Sequence, residues 1–191
     1  MRRKIICLLA FFAIAVHAAN PTDLSKLVKI PDATPTKGLD LSGADLRSYQ
    51  FTASKVNLQN ANLSHSILTN VNLEKVDLSG TDLSYADLSN AKLSNANLSN
   101  TILDHAVLSN ADLSSANLSN AHALHGIFTN ANLQQANLSK ADFSCVNFNN
   151  ANLTQANFSE ANISNATFVN AITTDIKNYD LVIDSHISCE E

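Results

Sequence analysis

Ala86-Asp87-Leu88-Ser89-Asn90-Ala91-Lys92-Leu93-Ser94-Asn95-Ala96-Asn97-Leu98-Ser99-Asn100 repeats one five-residue phrase three times. Each phrase sets a small residue, a polar one, a leucine and two more polar residues in the same order. Outward from this stretch, a large apolar centre recurs every fifth position from Leu58 to Phe168, in 23 consecutive units. Sixteen centres are Leu, five are Phe, one is Ile163, and Ala123 alone is undersized. The residue two places before the centre is Ala in 15 units and Val, Thr, Ser or Gly in the rest. Residues two apart on an extended chain point to the same side, so the centre and its small partner both face inward. The positions between successive pairs face water, and they are Asn, Asp, Ser, Thr, Gln or Lys almost throughout. A strict period of five would spread its leucines around every face of a helix. The chain is therefore expected to turn a corner every five residues and wind a solenoid. Three earlier centres, Leu41, Leu46 and Phe51, stand two residues out of register, which predicts a bulge or small loop at Ala53 to Lys55.

The units Ala86-Asp87-Leu88-Ser89-Asn90, Ala111-Asp112-Leu113-Ser114-Ser115 and Ala131-Asn132-Leu133-Gln134-Gln135 resemble the A-(D/N)-L-x-x signature of pentapeptide-repeat proteins. The resemblance covers residues 39 to about 170. It implies an all-β fold, a right-handed quadrilateral β-helix with four pentapeptides, about 20 residues, per coil and 6–7 coils in all. At the strand spacing of about 4.8 Å such a rod is roughly 30 Å long. The sequence carries a separate sign of the twenty-residue coil. Two places after the centre, Asn70, Asn90, Asn110, Asn130, Asn150 and Asn170 fill every position of one face. His65, His105 and His125 all fall on another.

The ends do not belong to the repeat. Arg2, Arg3 and Lys4 followed by the apolar run Ile5 to Val16 read as a secretory signal peptide, residues 1–18, with cleavage expected before Ala19. The apolar run is shorter than the roughly 20 residues of a membrane-spanning helix. Residues 19–38, with Pro31 and Pro35, read as a leader and N-terminal cap to the 39–170 array. Residues 171–191 read as a C-terminal cap, because Ile172, Ile176, Tyr179, Leu181, Val182, Ile183 and Ile187 break the five-residue pattern. Solenoid ends expose unpaired backbone, so caps are expected at both. Removing residues 1–18 leaves nine basic against 17 acidic residues. That negative balance argues against nucleic acid or an anionic membrane as partner of the mature chain. The expected location is the periplasm or the medium, where Cys145 and Cys189 meet oxidising conditions and are able to form a disulfide.

One strip of sequence departs from the rule of the repeat. The residue just before the centre is Asn or Asp in 16 of 23 units, yet here it is Ile67, Val107 and Ile127. A corner column of His65, Tyr85, His105, His125 and Cys145 should stand beside them, with Thr69 and Thr129 following. Ile102 and Leu124 extend the apolar area. Rimmed apolar patches often mark partners, so His65, Ile67, Thr69, Tyr85, His105, Val107, His125, Ile127 and Thr129 are the candidate protein-docking surface. Ile and Val also simply suit a strand-like wall, and duplication would copy them. His105, His125 and Cys145, one coil apart, offer imidazoles and a thiolate to a metal such as Zn²⁺ or copper. A disulfide to Cys189 would remove that thiolate.

No nucleophile–base–orienter set can be assembled, so no enzymatic activity and no cofactor are expected. The reading is a non-enzymatic secreted binding or scaffold protein with an unknown protein partner, a dimer remaining open. The family resemblance implies one alternative, since some members protect a topoisomerase by imitating DNA. Such mimicry calls for dense carboxylates, and Asn outnumbers Asp eleven to five just before the centre. A metal- or surface-binding solenoid is the other alternative, but Asn149 ends the hydroxyl column of Thr69, Ser89, Ser109 and Thr129.

Overall fold

In a unit with Asn or Asp before its centre, such as that around Leu83, every backbone N–H has one acceptor, and this cycle builds the fold. In the unit around Leu83, Thr81 N–H closes a turn onto Leu78 O (3.1 Å). Asp82 N–H reaches back one coil to Ala61 O (2.9 Å). Leu83 and Tyr85 donate forward to Ile102 O (2.7 Å) and Asp104 O (2.9 Å). The fifth donor, Ser84 N–H, is met by the Asp82 carboxylate at 2.9 Å. That last bond is the physical reason for Asn or Asp before each centre: the side-chain oxygen captures an N–H that no coil neighbour reaches.

The computed structural model describes residues 39–47, 49, 51 and 58–177. Parallel bridges join residues 20 apart, as in the run Asn62, Asp82, Ile102, His122, Asp142 and Asn162. Each side of the coil contributes one bridged residue between two turns rather than an extended strand. Twenty residues at five per side make four walls. The first wall is centred on Leu58, Leu78, Leu98, Leu118, Leu138 and Phe158. The second is centred on Leu63, Leu83, Leu103, Ala123, Phe143 and Ile163. The third is centred on Leu68, Leu88, Leu108, Phe128, Phe148 and Phe168, and the fourth begins with Leu73, Leu93 and Leu113. These centres and their small partners form one continuous buried core along the rod. Where Ala123 leaves space, Phe128 and Phe143 meet edge-on, 5.8 Å between centroids. Among the described residues no helix is long and apolar enough to cross a membrane.

The residue ending each wall adopts a left-handed backbone, with φ from +53° at Asp175 to +68° at Gly80. A turn with φ > 0 at its third residue favours Gly or Asn, which explains the many Asn two places after the centre.

The first units pair with an offset of 22, Asp40 with Asn62 and Asp45 with Ile67, before the offset settles at 20. Ala53 to Lys55, where the register shift was expected, lie outside the described residues, as do residues 1–38 and 178–191. The bridge ladder runs on past residue 170. Ile172 bridges Asn152 and Lys177 bridges Asn157, so the coil continues to 177. Backbone pairing, rather than a large centre, carries the winding there, since Thr173 stands where Leu153 stood one coil earlier.

Candidate functional site

At the corner between the second and third walls, one side chain from each coil stacks on the next. His65 and Tyr85 have ring centroids 4.9 Å apart at 3°, Tyr85 and His105 4.6 Å at 8°, and His105 and His125 5.1 Å at 16°. The steps follow the coil spacing of about 4.8 Å. All four residues hold positive φ, between 57° and 59°. For a residue other than Gly, Asn or Asp that conformation costs about 1–2 kcal/mol. An aromatic contact returns about 0.5–1.5 kcal/mol. Asn would hold these corners at less cost, but Lys75, Ser115, Gln135, Lys140, Gln155 and Glu160 hold the same backbone at other corners, so what sets this corner apart is the stack of rings.

The flanks show the same departure. On the third wall Ile67, Asp87, Val107 and Ile127 form one bridged column, and on the second Ile102 and His122 replace the usual Asn or Asp. Ile and Val have no oxygen with which to capture the N–H two residues on. A neutral hydrogen bond is worth about 0.5–1.5 kcal/mol, so each such residue gives up local stability. Leu124 N–H is met instead by the Asp104 carboxylate at 2.9 Å, the residue one coil earlier. Ile67, Tyr85, Ile102, Leu124 and Ile127 are 37% to 53% exposed, and they are five of the seven exposed large apolar residues described. The other two, Val169 and Ile172, lie on the last coil.

The structure therefore places His65, Ile67, Thr69, Tyr85, His105, Val107, His125, Ile127 and Thr129 on one corner and the wall that follows it. Val107 is half-buried between the exposed Ile67 and Ile127, and Thr69 and Thr129 are half-buried near the next corner. At that next corner Asn130 donates to Asn110 (3.2 Å) and Asn170 to Asn150 (3.3 Å), forming an amide edge. The strain at the corner and the missing turn bonds were not read from the sequence. The positive φ was signalled by the Asn excess, against which His and Tyr stand out.

The metal reading of His105, His125 and Cys145 is corrected. Imidazole lone pairs lie in the ring plane, so two nearly parallel stacked rings direct them side by side rather than toward one ion. Cys145 is disulfide-bonded, which removes the thiolate. Among the described residues no group of three His, Cys, Asp or Glu could hold a metal ion. The partner sulfur of Cys145 lies outside the described residues; the sequence holds Cys7 and Cys189 besides it.

A family model described as pentapeptide repeats matches in 8 copies, over residues 57–95, 91–122, 127–159 and 141–172. Among solved structures the chain is similar to HetL, a pentapeptide repeat protein involved in heterocyst differentiation regulation in the cyanobacterium Nostoc sp. strain PCC 7120. Identity is 24%, over 72% of this chain and 82% of that one, with a TM-score of 0.46. The pentapeptide repeat protein alr5209 of Nostoc PCC 7120 is 35% identical, over 50% of this chain and 67% of that one, with a TM-score of 0.23. A trypsin-treated form of QnrB1, a plasmid-mediated fluoroquinolone resistance protein, is 21% identical, over 64% of this chain and 66% of that one, with a TM-score of 0.40. Comparison with curated proteins gives no match.

Proposed function

The chain belongs to the pentapeptide-repeat family, and on that scaffold we propose a non-enzymatic secreted or periplasmic protein that docks another protein at the corner between its second and third walls. The coil is taken as right-handed, as the family resemblance implies. One observation carries the reading. Five of the seven exposed large apolar side chains described gather around a single corner, and three of them, Ile67, Ile102 and Ile127, stand where the repeat's own rule calls for Asn or Asp. A surface that forgoes turn bonds and gathers exposed apolar side chains around one corner points to function there. The bonded Cys145 supports export, since disulfides persist in oxidising compartments.

Topoisomerase protection by DNA mimicry fits less well. The first wall runs Asp77, Asn97, Asn117, Asn137 and Asn157, each amide donating to the residue one coil before, at 3.0 to 3.2 Å. Beyond Asp77 this is a ladder of neutral amides rather than a row of charges.

The test places a photo-crosslinking residue at position 85 and, as a control, at position 115 on the corner ending the fourth wall. Ile67→Asn, Val107→Asn and Ile127→Asn together should abolish the position-85 product while leaving the far-UV spectrum unchanged. Equal capture at both positions, or capture that survives the triple change, overturns the docking reading.

A further inference from the structure

Carboxylates stand on all four walls, with Glu74, Asp77, Asp112, Glu160 and Asp175 on the first and fourth or their corners, but the lysines are sorted. Among the described residues, Lys75, Lys92, Lys140 and Lys177 all sit on the first and fourth walls or at the corners that end them. Lys140 at its corner faces Glu160 at 3.9 Å. The second and third walls carry Asp82, Asp87, Asp104 and Asp142, and the one arginine described there, Arg47, is held by Asp45 at 2.6 Å. These carboxylates are interleaved with the docking residues. Asp82 bridges to Ile102, and Asp87 lies between Ile67 and Val107 in the third-wall column. Asp104 receives the N–H of Leu124.

We infer that the occupant of this corner is a cationic protein segment in which aliphatic side chains alternate with Lys or Arg. The inference rests on the docking reading and names its partner class. Aliphatic side chains would cover Ile67, Ile102, Leu124 and Ile127, and cations would meet carboxylates whose walls carry no lysine among the described residues. A second copy would bring the same carboxylates against themselves, and nucleic acid or an anionic membrane would be repelled. A planar ligand is disfavoured for another reason. Both faces of Tyr85 and His105 are already covered by neighbouring rings, so these two offer only their edges, as hydrogen-bonding groups.

The probe is a labelled ten-residue peptide of alternating Lys and Val, compared with its Glu–Val counterpart by fluorescence anisotropy on the whole processed protein. The cationic peptide should bind at least about tenfold more tightly, as several exposed ion pairs acting together allow. Asp82→Asn, Asp87→Asn, Asp104→Asn and Asp142→Asn together should erase that preference. Asn keeps the oxygen that each turn needs and stands naturally at Asn62, Asn147 and Asn162, so the fold is retained. Equal binding of the two peptides, binding of neither, or a preference that survives the fourfold change overturns the inference. The docking reading fails separately, through the crosslink at position 85.

Discussion

Tyr85 and His105 stack one coil apart, 4.6 Å between centroids, although their backbones stand at φ 59° and 57°. Ser115 holds the same backbone, φ 56°, at another corner with no ring neighbours described. The two sites separate strain from stacking. Ser115→Asn should raise stability by about 1 kcal/mol, because Asn tolerates the left-handed region. His105→Asn relieves the same strain but loses contacts to both Tyr85 and His125, so it should gain nothing or lose stability. Urea midpoints of the two variants decide the point: an equal gain would mean that the stack contributes nothing.

Ser66 and Gly126 occupy the same inward column, one coil either side of ordinary alanines at 86 and 106, and should answer substitution in opposite directions. The Ser66 hydroxyl is buried and finds no hydrogen-bond partner among the described residues. Ser66→Ala should stabilise by about 1 kcal/mol through loss of an unsatisfied polar group. At Gly126 an added Cβ would stand 3.0 Å from both the Ala123 carbonyl oxygen and the Phe128 ring. Gly126→Ala should cost about 1–3 kcal/mol by overpacking. Thermal melts check both signs.

The solenoid was legible because its rule repeats: inward Leu and Ala follow from pairwise spacing, and the buried core runs from Leu41 to Ile163 as that spacing requires. The corner column was legible for the same reason, since residues 20 apart must stack once the coil is known. Three things were not legible. The captured N–H that explains Asn and Asp is a three-dimensional property of the turn, visible in the pattern only as a preference. The continuation through Ile172 to Lys177 was hidden because periodicity was sought in side chains, whereas the backbone ladder survives a Thr173 centre. Parallel ring planes, which do not converge their lone pairs on one ion, need torsion angles that no spacing supplies.

Asp77 gives the fold an acid-sensitive point. Burial alone would raise its carboxyl, but hydrogen bonds from Ser79, Gln59 and Asn97 outweigh that and hold it below the usual carboxylate range. A folded value below the unfolded one means stability that is complete above about pH 4 and lost as pH falls through the folded value. Asp77→Asn keeps an oxygen for Ser79 N–H and removes the titration. Its stability should therefore fall less steeply than wild type below about pH 4. Urea midpoints measured down that range check it; parallel curves would assign the acid sensitivity elsewhere.

Cys145 is bonded, and which sulfur it meets ties the fold to its compartment. If export removes residues 1–18, Cys7 leaves with them and Cys189 is the remaining cysteine. The chain passes the last bridge at Lys177, twelve residues before Cys189. Twelve extended residues reach up to about 40 Å, ample to cross the rod end and descend to the coil of Cys145. A bond there would hold the tail against the last coil, where Val169 and Ile172 are exposed. Closing so long a loop typically contributes about 2–4 kcal/mol, so Cys189→Ser should lower stability by that order and free one thiol at position 145. Peptide mapping of the exported protein without reduction should yield a single crosslinked pair, 145 with 189. A bond to Cys7 would show that the leader is retained, and an alkylatable Cys145 in the native protein would remove the tether altogether.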